Sequence, residues 1–255
     1  MASRSICNAW IEYLKPKPQA RLRLFCFPYA GGGASIYRAW SDYLPPNIEV
    51  CPIQLPGREG RLSEEPFTSL EALVHALAEN LVSYLDIPFA FFGYSMGALI
   101  SFELSRQLYK RYGLSPLHLF VAAHRAPQLP DRRPPIHQLP ETAFLEALGR
   151  LNGTPAEVLQ NREAMELLLP LLRADFSVCE TYTHRVDSPL RCPISAFGGL
   201  KDPELSKDEL ISWQEQTQGK FTLQMLPGDH FFLHHSQSQL SQAVSRNVSQ
   251  HLSLL

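Results

Sequence analysis

"FAFFGYSMGALISFELSRQLYKRYG", residues 89–113, opens as an unbroken apolar run, passes a serine set between two glycines, and continues with helical periodicity. The run reads as a buried strand and the continuation as a helix closed by Gly113 as its C-cap. Ser95 therefore stands at a sharp strand-to-helix turn, within G-x-S-x-G (Gly93, Tyr94, Ser95, Met96, Gly97). As a bare pattern G-x-S-x-G is short enough to recur by chance. A strand before it and a helix after it are the context of a nucleophile elbow. Such a turn holds the serine in a strained backbone and lifts its hydroxyl above the sheet edge. Neighbours two residues away must then be small, which accounts for both glycines. The helix start offers free N–H groups beside the hydroxyl, suited to a developing oxyanion. The bland alternative is a tight turn with an incidental serine.

Further apolar runs lie on either side: "LRLFCF" (22–27), "EVCPIQL" (49–55), "LHLFVAA" (117–123), "PISAFG" (193–198) and "FTLQML" (221–226). Continuous rather than alternating apolar character predicts strands covered on both faces, as in a parallel sheet. Between them, "TSLEALVHALAENLVSYL" carries one apolar stripe at the helical period, with a T-x-x-E capping box expected at Thr68 and Glu71. Strand–helix alternation predicts an α/β fold with a doubly wound, mostly parallel sheet. The alternation breaks between about residues 128 and 187. "PQLPDRRPP" holds four of the chain's 21 prolines, and helical patterns follow with no strand between them. One domain spanning residues 1–255 is expected, with this helical insertion as a lid over the active-site end of the sheet. The bland alternative is a decorated crossover without mobility. No internal repeat or low-complexity segment stands out.

The composition belongs to an ordinary globular protein: 255 residues, 45% hydrophobic, 19% charged, net charge −2. That balance gives no case for nucleic acid or an anionic membrane as partner. No apolar stretch is long enough for a spanning helix, and the N-terminus lacks a secretory pattern. Five cysteines, an odd number without a CxxC pair, read as reduced thiols of a cytoplasmic protein. No zinc-like Cys/His spacing appears, and neither metal nor organic cofactor is expected.

A serine needs a base to become a nucleophile. In a fold of this kind the partners follow in chain order, acid and then histidine, each after a strand. Asp202 follows "PISAFG" and His230 follows "FTLQML". Asp202 would hold the imidazole's tautomer, and His230 would take the proton of Ser95 and return it to the leaving group. His234 and His235, expected on the following helix, compete for the role of base. Asp187, Asp208 and Asp229 compete for that of acid, Asp229 pointing away from its neighbour His230. Two oxyanion donors are needed as well. One is the backbone N–H of Met96. The other should come from "FPYAGGGAS" after the first strand, from Ala30 in preference to Gly31. That glycine run ends in no G-K-[ST] and does not fit G-x-G-x-x-G, so it is neither a phosphate loop nor a dinucleotide fingerprint.

"FPYAGGG", "PGREGR" (56–61), "FFGYSMGA" and "GDHFFL" together resemble the type II thioesterases, free-standing partners of nonribosomal peptide and polyketide synthetases within the α/β-hydrolase superfamily. The likeness runs from about Leu22 to the C-terminus. It implies hydrolysis of acyl thioesters on the phosphopantetheine arm of an acyl or peptidyl carrier protein, which clears stalled chains. It carries over Ser95, Asp202 and His230 as the triad, Met96 and Ala30 as the oxyanion hole, and the insertion as a lid over the acyl channel. Tyr29, Gly31, His124 and Arg58 are candidates for touching the substrate. "AAHRAP" departs from the family, where a small polar residue is expected near His124. Arg58 and Arg61 could meet a carrier's acidic surface or the pantetheine phosphate, or be structural partners of Glu59 or Glu64, the reading preferred here. The alternatives are a general carboxylesterase or lipase on the same fold, a non-catalytic binding protein, and a chain-terminating domain of a larger synthetase. The methionine start and length favour a free-standing protein, expected to be a monomer that meets its carrier transiently.

Overall fold

A computed structural model describes residues 9–12, 17–151, 153 and 155–252. Cys7 lies outside them. In chain order the elements are β1 (Leu22–Phe27), α1 (Trp40–Tyr43), β2 (Ile48–Pro52), α2 (Leu70–Leu81), β3 (Phe89–Tyr94), α3 (Met96–Tyr112) and β4 (Leu119–Ala122). They continue with α4 (Glu141–Leu151), α5 (Ala156–Leu159), α6 (Arg162–Glu180), β5 (Ile194–Gly199), α7 (Lys207–Ile211), β6 (Phe221–Leu226) and α8 (Gln237–Leu252).

Six strands form one parallel sheet in the order β2-β1-β3-β4-β5-β6. The chain runs outward from β1 to β2, returns past β1 to β3, then proceeds the other way. The strand order thus reverses beside β1 and β3, which pair in the register Phe25↔Phe91 and Phe27↔Gly93. Crevices for ligands form at such a switch point, outside the carboxyl ends of the strands.

The continuous apolar runs have the cause expected of them. Every residue of β2, β3, β4 and β5 is buried, and successive side chains enter opposite cores. Phe25, Phe27 and Phe91 pack with α2 and α3 on one face. Leu24, Cys26 and Phe92 pack on the other with Trp40 and with Leu240 and Val244 of α8. Deleting one such phenylalanine side chain costs about 3–5 kcal/mol.

Helix α3 ends as predicted. Gly113 takes the left-handed conformation (φ 68°) and its N–H donates to the Tyr109 carbonyl at 3.0 Å. The box expected at Thr68 and Glu71 is not formed. Helix α2 begins after Ser69, whose side chain makes no cap bond, so Glu71 sits one position too early to reach back. The Thr68 carbonyl instead accepts from Ser177 Oγ of α6 at 3.0 Å. A capping box does occur at α7, where Ser206 and Glu209 satisfy each other's backbone N–H.

The interval between β4 and β5 holds α4, α5 and α6, with no strand among its described residues. These helices bury their own small core of Phe144, Leu148, Met165, Leu169 and Leu172, separate from the two sheet cores. The described cysteines Cys26, Cys51, Cys179 and Cys192 are unbridged. No described helix is long and apolar enough to cross a membrane.

Candidate active site

The site grows from the turn between β3 and α3. Ser95 has φ 51°, in the region L-residues avoid. Its neighbours explain how the chain tolerates this. A Cβ on Gly93 would run into the Gly97 carbonyl and Ser101 Oγ, and a Cβ on Gly97 into the Phe27 and Pro28 carbonyls. The two glycines therefore do different work. Gly93 lets the turn close on itself, and Gly97 seats the start of α3 against the end of β1.

Three sequence-distant groups meet there. His230 Nε2 lies 3.2 Å from Ser95 Oγ, and His230 Nδ1 lies 2.9 Å from Asp202 Oδ2. With Nδ1–H donating to the carboxylate, Nε2 is left to accept the serine proton. The Asp202 side chain is 1% exposed and that of His230 18%, so the carboxylate is sealed while the imidazole faces the opening. Asp202 Oδ1 is occupied too, accepting the Glu204 N–H at 2.8 Å.

The competitors are engaged elsewhere. Asp187 pairs with Lys110 and Arg106, and the Lys110 ammonium holds its carboxyl down to about 2. Asp208 lies in the first turn of α7. Asp229 accepts the Phe231 N–H at 2.9 Å, capping the turn that carries His230. His234 lies in a short 3-10 turn, Phe232–His234, ahead of α8 rather than on it, and His235 follows that turn directly. His234 Nε2 is hydrogen-bonded with the Tyr29 hydroxyl at 3.1 Å, and burial lowers its pKa.

A second serine–histidine contact, His118 Nε2 to Ser195 Oγ at 2.8 Å, lies at the amino ends of β4 and β5. Ser195 is 1% and His118 3% exposed, and Ser195 Oγ also meets Thr222 Oγ1 at 2.7 Å. Neither residue borders the cavity described next. This pair ties strands together at the end of the sheet opposite Ser95.

Above Ser95 opens a cavity of about 480 Å³ bordered by Tyr29, Ala30, Ser95, His124 and His230. The insertion roofs it, through Leu148 and Leu151 of α4 and Leu172 and Phe176 of α6. His124 directs Nδ1–H at the Arg125 carbonyl (2.7 Å), leaving Nε2 as an acceptor. Burial, then the Arg125 charge, lower its pKa to about 4. Among the described residues no three His, Cys, Asp or Glu side chains converge as a metal site would require.

Of the two glycine-loop donors weighed, Gly31 N–H is taken, donating to Asp175 Oδ2 at 2.7 Å. Ala30 N–H and Met96 N–H meet no acceptor among the described residues. Arg58 does not border the cavity. Its guanidinium is buried and paired with Asp175 rather than Glu59 or Glu64, because burial of a charge demands a partner in the same dry space. Arg61 takes the structural role expected of it, bound to Glu64 and lying over the Trp10 ring at 4.3 Å.

Tyr94, the first of the two variable residues inside G-x-S-x-G, has a role the pattern does not disclose. Its hydroxyl donates to the His230 carbonyl at 2.6 Å and accepts the Leu233 N–H at 3.2 Å. The same pentapeptide that carries the serine thus fastens the loop that carries the histidine.

A family model described as a thioesterase domain matches residues 22–251. The chain belongs to the thioesterase family. It is 48% identical over 241 residues to the gramicidin S biosynthesis protein GrsT of Aneurinibacillus migulanus, covering 94% of each chain. It is 46% identical over 248 residues to a Brevibacillus parabrevis protein named linear gramicidin dehydrogenase LgrE, covering 96% of this thioesterase and 94% of that protein. The solved type II thioesterase BorB of the borrelidin biosynthetic cluster superposes with a TM-score of 0.85 at 34% identity, covering 94% of this chain and 97% of that one.

Proposed function

We propose that this thioesterase hydrolyses acyl groups held as thioesters on the phosphopantetheine arm of a carrier protein, with Ser95, His230 and Asp202 as its triad. The observation that carries the reading is the hydrogen-bonded run Ser95–His230–Asp202 opening into a roofed, mostly apolar cavity. The biosynthetic setting named for GrsT and BorB supports a carrier-bound substrate.

Ser95 Oγ attacks the thioester carbonyl while His230 Nε2 takes its proton. The tetrahedral oxyanion lies between the Met96 and Ala30 N–H groups. Collapse breaks the C–S bond, and the imidazolium returns its proton to the departing pantetheine thiolate. Water then attacks the acyl-serine, again giving a proton to His230, and the acid leaves as Ser95 is reprotonated. Asp202 keeps Nδ1 protonated throughout and stabilises the imidazolium. The insertion serves as a cover that admits the pantetheine arm and keeps bulk water from the acyl-enzyme until its turn. Tyr29 and His124 border the path of the substrate.

The name of the Brevibacillus relative raises hydride transfer as a second reading. A serine held by a histidine–aspartate pair has no part in hydride transfer. The glycine run after β1 also lacks the spacing that seats a dinucleotide.

The test compares hydrolysis of an acyl-phosphopantetheinyl carrier protein with that of a matched small oxoester, in wild type and Ser95→Ala. A strong preference for the carrier, abolished in the variant, is expected. Preference for the oxoester would make the protein a general esterase, and turnover surviving in Ser95→Ala would overturn the triad.

A further inference from the structure

The motif "PGREGR" and the lid helix meet at one buried ion pair. Arg58 Nη1 and Nη2 donate to Asp175 Oδ2 and Oδ1, each at 2.8 Å, with side chains 4% and 3% exposed. The carboxylate has a third donor, the Gly31 N–H, at 2.7 Å. Arg58 Nη1 also donates to the Gly32 carbonyl at 3.1 Å, and its Nε to the Pro56 carbonyl at 3.2 Å. The pair therefore grips the loop after β1 at two successive residues, one through its N–H and one through its C=O.

What that grip fixes is the peptide before it. Tyr29 O accepts the Gly32 N–H at 2.9 Å, closing a turn with Gly31 in its third position at φ 78°, as a type II turn requires. In a trans peptide the C=O and N–H point opposite ways. With Tyr29 C=O turned into the loop, Ala30 N–H points out of it, and Ala30 borders the cavity. The turn alone could swing as a unit. Its third residue is pinned by Asp175, one helical turn beyond Leu172, whose Cδ2 would lie 2.8 Å from a Cβ on Gly31.

We propose that Arg58 and Asp175 are positioning residues that aim the Ala30 N–H at the developing oxyanion, and that through them the register of α6 sets that aim. The inference rests on the proposed role of Ser95 and Ala30. Leu172 and Phe176 of the same helix border the cavity, so an acyl group filling it presses on the helix that holds the oxyanion loop.

Two charge-free double variants separate positioning from mere stability. R58M/D175N keeps an acceptor for Gly31 N–H, whereas R58M/D175L removes it at nearly the same volume. Removing both charges together avoids stranding one of them. Loss of a whole oxyanion donor costs about 10²–10³ in kcat, so a misaimed one should cost roughly 10- to 100-fold. The leucine variant should lose that much kcat with KM within about 3-fold of wild type, and the asparagine variant should recover most of it. Affinity for an acyl trifluoromethyl ketone, which places an oxyanion in the same spot, should fall in step with kcat/KM. Equal kcat in the two folded doubles would overturn the inference. If the leucine variant does not fold, R58M/D175A, which also removes the acceptor without stranding a charge, takes its place: kcat equal to that of R58M/D175N, or lowered kcat/KM with unchanged ketone affinity, overturns the inference. Ser95→Ala is run in parallel. Its surviving turnover would sink the site reading itself, whereas wild-type activity in the pair variants beside a dead Ser95→Ala would sink only the positioning role.

Discussion

Tyr94→Phe removes one oxygen and leaves the ring, which packs against Phe232 at 5.2 Å and Tyr29 at 6.0 Å between centroids. Two hydrogen bonds go with it, to the His230 carbonyl and from the Leu233 N–H. Leu233 is fully buried, so its N–H loses its partner where water does not reach. Such an orphaned donor costs about 1–3 kcal/mol, and the bond to His230 adds about 1 kcal/mol. A total of about 2–4 kcal/mol should lower Tm by roughly 4–16 °C in a domain of this size. The loss should also reach the chemistry, because the released backbone is that of His230. We expect kcat/KM on an acyl thioester to fall about tenfold, through kcat. Thermal unfolding and steady-state kinetics on the same preparation provide the check. Burial raises the phenol's pKa well above its ordinary value, so the hydroxyl remains a donor and the effect should be flat from pH 6 to 9. A variant with wild-type Tm and wild-type kcat would refute the reasoning.

Asp202→Asn should preserve the fold but leave His230 free to take the wrong tautomer. A loss of the order of 10⁴ in kcat with little change in KM is expected, the magnitude known for the equivalent change in a serine protease. Gly97→Ala should be far more damaging than an average Gly→Ala in a helix, because the new methyl meets the Phe27 and Pro28 carbonyls, which are backbone and cannot swing aside. Soluble yield, with kcat of whatever folds, measures it, and a well-behaved active alanine variant would contradict the geometry. His124 predicts a pH dependence. Its folded pKa, about 4, lies below the ordinary 6.5, so the unfolded chain binds the extra proton between those values. Stability should fall as pH drops from about 6.5 towards 4, by at most about 3 kcal/mol and less to the extent that cavity water reaches the ring. Urea unfolding of wild type and His124→Gln at pH 7 and pH 4.5 tests it, the variant showing the shallower dependence.

Features that depend on contiguous residues were legible in the sequence. The run 22–27 matches β1 end for end, because a strand buried on both faces leaves a continuous apolar trace. The run 221–226 matches β6 in extent, but as an edge strand it keeps five of its six residues partly exposed, not covered on both faces as its apolar run suggested. Ser95, Asp202 and His230 were legible for a related reason: each closes a strand, and parallel strands deliver their ends to one edge. Arg58 and Asp175 lie 117 residues apart on segments that no period connects, so "PGREGR" could only suggest partners nearby in the chain. Tyr94 was hidden differently. Its position in the elbow was plain, but its hydroxyl's partner lies 136 residues on. The box at Thr68 failed for the opposite reason: the local signature was complete, yet the first helical turn starts after Ser69 instead.

The pairing Phe27↔Gly93 carries a consequence for how such a site can change. Met96 follows the end of β3, and Ala30 follows the end of β1. The gap between the two N–H groups proposed to hold the oxyanion is therefore ruled off by the ladder between adjacent strands, about 4.8 Å apart. Backbone rather than side chains sets that gap, so a substitution that adds no bulk between the strands, unlike one at Gly97, can tilt a donor but has little purchase on the spacing. One residue inserted into either strand would slide one donor past the other by about 3.3 Å, more than the length of a hydrogen bond. Drift in substrate preference is thus free to run through the roof of the cavity, while the floor on which the carbonyl rests tolerates neither a change in the number of its residues nor a side chain at Gly97.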